Sequence, residues 1–141
     1  METIAQREAE IIEEFSFFDD WMDKYEHLIA LGKELPALSA SLKVESNQIK
    51  GCQSQVWLHA TLEDGGIRFE ADADAIITRG MIALLLRPVQ GQPPSAVAAF
   101  EFGFLDPLGL TAHLSPTRAN GLLSMVKQIR LYGVAFQAKR G

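Results

Sequence analysis

Cysteine occurs only once in this 141-residue chain, at Cys52, so no disulfide can close within it. A cysteine-based zinc or iron–sulfur site needs several sulfur ligands, and the single thiol excludes one, leaving no expected metal. Positive charge is short as well. Against 18 Asp and Glu stand 13 Lys and Arg, a net charge of -5, and no basic stripe is available to neutralise phosphates. Nucleic acid is therefore not an expected partner. Long apolar runs are missing: the longest, MIALLL at 81–86, is far too short to cross a bilayer. The opening METIAQREAEII is acidic and helical where a secretory signal would be basic and then apolar. These absences describe a reduced, cytoplasmic protein with no membrane partner. Repeats, low-complexity tracts and linkers are also lacking.

What is present is the composition of a globular domain. Hydrophobic residues make up 48% and charged residues 22%, and the length suits one domain over residues 1–141 with a core that needs no disulfide. Acids crowd the front, from Glu2, Glu8 and Glu10 to Asp19, Asp20 and Asp23. A solvated helix face and a surface for a basic protein partner both account for them.

Thr3 and Gln6 have the spacing of a capping box, and Ile4, Ile11, Ile12 and Phe15 line one side of the helix that follows. A second helix begins near Asp19 or Asp20, carries Trp21, Tyr25, Leu28 and Ile29, and ends near Leu35 before Pro36. From Gln55 the period changes to two. Val56, Leu58, Ala60 and Leu62, then Ile67, Phe69 and Ala71 past the Asp64-Gly65-Gly66 interruption, describe a β-hairpin with one apolar face.

A mostly apolar helix over 75–86, capped by Asp74 or Asp72, reads as the central, most buried one. RPVQGQPPS, at 87–95, is rich in breakers and reads as a loop, with a short helix over 96–99 behind Pro94 at its first position. Ser115 as N-cap and Pro116 at N1 announce the last helix, striped by Leu122, Met125, Val126, Ile129, Tyr132 and Phe136. The class is α+β: a small antiparallel sheet packed against several helices.

Cys52 falls in the connection before the first strand, within GCQSQVW at 51–57. An isolated cysteine most often packs as a small hydrophobe. Such cysteines sit inside periodic apolar runs, whereas Cys52 is flanked by Lys50, Gly51, Gln53, Ser54 and Gln55. Gly51 permits backbone geometry that would hold the sulfur at a loop tip, and the Lys50 ammonium would favour the nucleophilic thiolate. His27, His59 and His113, the candidate bases of a cysteine hydrolase, are distant in sequence. One thiol suffices to accept a sulfur atom or to be oxidised reversibly, which leaves a sulfur carrier and a peroxide-reactive sensor as readings. Arg118, near N3 of the last helix, opposes the helix dipole and calls for a compensating partner such as Asp74.

GCQSQVW, DADAIITRGMIALLL, HLSPTRANGL and the second helix W..KY..LI.LGK.LP together resemble the SufE family of sulfur-acceptor proteins, which includes CsdE, over nearly the whole chain. The resemblance implies an α+β, SufE/IscU-like fold. It implies that Cys52 takes persulfide sulfur from a PLP-dependent cysteine desulfurase (SufS- or CsdA-like), raises that enzyme's turnover, and passes sulfur to an Fe–S scaffold (SufBCD-like). The chain itself would be no enzyme and would hold no cofactor. Gly51, Gln53, Ser54 and Gln55 are then the supporting loop, and Asp74, Arg118 and His113 match positions near that loop or the partner surface.

Overall fold

The computed structural model describes residues 2–140. Helix α1 (Ile4–Ser16) opens with the expected capping box: Gln6 N–H donates to Thr3 Oγ1 at 3.1 Å and Thr3 N–H to Gln6 Oε1 at 2.8 Å. Its Ile4, Ile11 and Phe15 are buried. Helix α2 (Trp21–Glu34) is capped by Asp20, whose carboxylate accepts from Asp23 N–H at 2.9 Å.

Strands β1 (Val56–Glu63) and β2 (Gly66–Ala73) form the antiparallel hairpin, with Leu58 opposite Ala71 and Ala60 opposite Phe69. Asp64 and Gly65 form the turn, with φ of 52° and 81°, the doubly positive geometry that matches the strands' own twist. The free edge of β2 is closed from outside. Ile67 N–H donates to Gln92 O, Gly91 N–H to Ile67 O, and the Gln90 amide brackets the Phe69 backbone through bonds of 2.6 and 2.9 Å. An unpaired edge is thereby covered by the segment that follows the next helix.

That helix, α3 (Ile76–Val89), is the central one, and ten of its fourteen residues are buried. Two expectations about it are corrected. Its N-cap is Ala75 with no side-chain cap bond, because both candidate carboxylates are occupied elsewhere: Asp72 is buried against Arg79 and Lys43, and Asp74 holds Gln55. It also runs through Pro88, which the sequence reading places in a loop. The missing Pro88 N–H removes one bond in the final turn, but Pro88 and Val89 are buried and Gln90 N–H still reaches Leu86 O at 2.9 Å. Core packing outweighs one terminal hydrogen bond.

Helix α3 also finishes α2. The Arg79 guanidinium donates to Leu35 O at 2.8 Å and to Gly32 O at 3.2 Å, the latter shared with Leu35 N–H, and so ties α3 to the carbonyl end of α2.

Helix α4 (Pro94–Ala99) starts on Pro94 as expected. Two single-turn helices, α5 (Leu105–Leu108) and α6 (Leu110–His113), are too short to show a sequence period, and they pivot on Gly109 at φ 74°. Helix α7 (Pro116–Arg140) follows Ser115, whose hydroxyl accepts from Arg118 N–H at 3.3 Å. Leu122, Met125 and Ile129 join α1, α3 and the hairpin in one hydrophobic core. No helix among the described residues is long and apolar enough to cross a membrane.

Candidate functional site

The Cys52 segment is a loop pinched shut at its base. Ile49 N–H donates to Val56 O at 2.8 Å, and Gln48 pairs with Trp57, so residues 50–55 bulge as a closed turn ahead of β1. A second clamp fixes its exit. Gln55 N–H donates to Asp74 Oδ1 at 2.9 Å while Asp74 N–H donates to Gln55 O at 3.1 Å, tying the loop to the start of α3. Ser54 Oγ donates to Thr78 Oγ1 at 2.9 Å, one turn further along that helix.

Gly51 has φ of 88°, a region costly for residues with a Cβ, and an added Cβ would stand 2.6 Å from Ser124 Oγ. The tight backbone turns the next side chain inward. Cys52 is half-buried, and its Sγ–H points to Gly121 O at 3.7 Å. A Cβ on Gly121 would stand 3.6 Å from the sulfur, ordinary van der Waals contact, so the thiol sits directly against the backbone of α7.

A small cavity of about 90 Å³ lies beside the thiol. Cys52, Gln53, Ser54 and Arg118 line it, with Thr78 and Met81 of α3 and Gly121 and Met125 of α7 behind them. Of the residues singled out from sequence, these four meet at one place. Gly51, Gln55 and Asp74 belong to the same loop through the contacts above. His113 does not: it is exposed, Nδ1 lies 2.9 Å from Gly109 O, and its ring stacks on Trp21 at 5.0 Å. Arg118 and Asp74 are not an ion pair either. Arg118 Nη1 donates to Tyr25 OH at 3.4 Å, a neutral partner, and the Asp74 carboxylate is taken by the loop backbone.

The electrostatics reverse one expectation. Burial pushes the Cys52 thiol above the ordinary cysteine range. Lys50 offers no compensation, because its ammonium is turned to Gln48 Oε1 at 3.2 Å and Glu45 at 3.8 Å. The S–H···O contact to Gly121 also favours the protonated form. No histidine lines the cavity; His27 is held by Glu14 at 2.6 Å. Among the described residues no group of His, Cys, Asp and Glu could hold a metal ion.

Sequence reasoning missed Thr78, Gly121, Met125 and Ser124. The first three line the Cys52 cavity and Ser124 faces Gly51, and each reaches the loop only because α3 and α7 fold over it. Gly121 alone left a trace, as a glycine inside a helix with no turn to explain it.

The site is thus a single thiol sheltered on a clamped loop between α3 and α7. The family model SufE, described as an Fe-S metabolism associated domain, matches residues 9–132, and the chain belongs to that family. An uncharacterized SufE-like protein of Rhizobium etli is 44% identical over 126 residues, covering 86% of this chain and 85% of its own length. The sulfur acceptor protein CsdE of Escherichia coli is 40% identical over 117 residues, 82% of this chain and 80% of that one. The chain aligns over 99% of its length with 38% of the SufE-like protein 1, chloroplastic/mitochondrial, of Arabidopsis thaliana, at 34% identity. A solution structure of a hypothetical protein from Thermus thermophilus shares the fold, with a TM-score of 0.75, 21% identity, and 92% and 94% of the two chains covered.

Proposed function

We propose that residues 1–141 act as one sulfur-acceptor domain in iron–sulfur cluster biogenesis, with Cys52 receiving persulfide sulfur from a PLP-dependent cysteine desulfurase and passing it to a cluster scaffold. The observation that carries this reading is the single thiol at the tip of a clamped loop, seated over its own small cavity. The name of the E. coli relative, a sulfur acceptor, supports it.

In the transfer the Cys52 thiolate attacks the outer sulfur of the donor's persulfide. A new S–S bond forms on Cys52, the bond between the donor's two sulfurs breaks, and the donor cysteine leaves as a thiolate that takes up the displaced proton. Nothing is oxidised or reduced overall. The resting thiol is poorly nucleophilic because burial disfavours its charged form. Sliding the loop out from between α3 and α7 would restore an ordinary cysteine, so contact with the donor couples exposure to reactivity. Once loaded and withdrawn, the sulfur would rest in the cavity lined by Met81 and Met125, away from reductants. A peroxide sensor requires a resting thiol of lowered pKa, and the direction found here is opposite.

The test is desulfurase turnover with L-cysteine. Wild type should raise it, and Cys52→Ser should not while keeping the native circular dichroism spectrum. Equal stimulation by the serine variant would remove Cys52 from the mechanism.

A further inference from the structure

The outer face of α7 carries a feature that the Cys52 cavity does not use. Apolar residues occupy both sides of this helix. Leu122, Met125 and Ile129 are buried in the core, whereas Leu123, Leu131 and Val134 are 53%, 47% and 52% exposed. A helix that is apolar on opposite faces calls for cover on both, and the described residues cover only one. The open face borders a groove of about 400 Å³ formed with Ala98 of α4. Its charged members are Lys127 and Arg130, both basic, in a chain whose net charge is -5. Neither takes part in an ion pair among the described residues. Arg130 Nη2 makes one long bond of 3.4 Å to Ala98 O, and among the described residues its buried Nε has no hydrogen-bond partner. The guanidinium is therefore incompletely satisfied in the free protein.

We infer that this face docks an acidic amphipathic helix of a partner protein. Residues 123 to 134 span roughly 16 Å along the helix, about three turns, which suits a short helix anchored by apolar side chains at i, i+3 or i+4, and i+7. Carboxylates on that helix meet Lys127 and Arg130, and the arginine fork takes one of them bidentately. A second copy of this chain fits less well: along its acidic stretch the exposed apolar side chains, Ile12, Phe17 and Met22, are five residues apart and divided between α1, its C-cap and α2, so no one helix face presents the anchor spacing. The surface begins two residues after Gly121, the residue against Cys52, yet shares no residue with the thiol cavity. A partner seated on α7 would thus be held beside the Cys52 loop without obstructing it. The inference does not depend on the sulfur reading.

The test is an NMR titration of the full ¹⁵N-labelled chain with a synthetic helical peptide of roughly 14 residues that carries leucines at the anchor spacing and glutamates between them. Shifts should cluster at Leu123, Lys127, Leu131 and Val134 and weaken as salt rises. Lys127→Glu and Leu131→Glu, both at exposed positions, should keep the native spectrum and bind at least about tenfold more weakly, while Cys52→Ser should bind like wild type. No shifts at millimolar peptide would overturn the inference, as would shifts centred elsewhere. Equal binding by the peptide with lysines in place of glutamates, or equal competition by single-stranded DNA, would reduce the face to one without helix-and-charge selectivity and overturn it too. Self-association of the free protein that Leu131→Glu abolishes would assign the face to a second copy instead.

Discussion

At Cys52, burial sets the acidity of the thiol and no nearby charge opposes it among the described residues. The half-buried sulfur contacts a carbonyl, and the nearest basic residue in sequence, Lys50, is engaged by Gln48 and Glu45, so the thiol is held protonated above its ordinary range. A raised acid pKa means that the native thiolate appears only at higher pH than in the unfolded chain. Alkylation by iodoacetamide should accordingly rise with pH along a curve displaced upward from that of the urea-unfolded protein. A native curve at or below the unfolded one would show that the loop, not burial, sets the thiol's acidity. Sequence context made Cys52 conspicuous, since it stands outside every apolar run. It could not show the sign of the shift, which comes from Gly121 and Met125 arriving from a helix some seventy positions away.

Between elements, the closest fit is the crossing of α2 and α3. A Cβ on Gly80 would stand 2.1 Å from Leu28 O, and one on Gly32 would stand 2.6 Å from Gly80 N, so backbone meets backbone with no side chain able to give way. Helix propensity alone favours alanine at position 80 by about 1 kcal/mol. The forced separation of two buried helices costs more, and Gly80→Ala should destabilise by about 1–3 kcal/mol net in urea unfolding. A more stable alanine variant would mean that the helices do not cross this closely. The period of apolar residues revealed α1, α2, α7 and the hairpin, because each has a long face turned to one core. It failed at Pro88, where burial overrode a local breaker, and at α5 and α6, where four residues per helix are too few to repeat. The cap of α3 was misplaced for a different reason: Asp72 and Asp74 are attractive capping residues, but longer-range partners claimed both.

Across the whole molecule, two carboxylates tie distant segments and set its response to acid. Asp72 is buried, which by itself would raise its pKa, but the N–H groups of Ala73 and Leu38 together with Lys43 and Arg79 bring it below the usual carboxylate range. Glu14 is likewise pushed up by burial and drawn down further by Arg87 and His27, joining α1 to α2 and α3. Native pKa values below the unfolded ones contribute stability that is complete above the unfolded carboxylate range, near pH 4, and is lost as pH falls through the native values. The urea midpoint should therefore decline as pH drops below about 4, and less steeply in Asp72→Asn, which is already destabilised at neutral pH. A parallel decline in the two proteins would show that Asp72 contributes nothing to acid sensitivity.

The central claim, that the single thiol carries sulfur, is met most directly by intact mass spectrometry of the protein after incubation with a cysteine desulfurase and L-cysteine. Wild type should gain the mass of about one sulfur atom, the gain should vanish on mild reduction, and Cys52→Ser should gain none. A wild-type mass that stays unchanged while the desulfurase turns over, or an equal gain on the serine variant, would contradict the account.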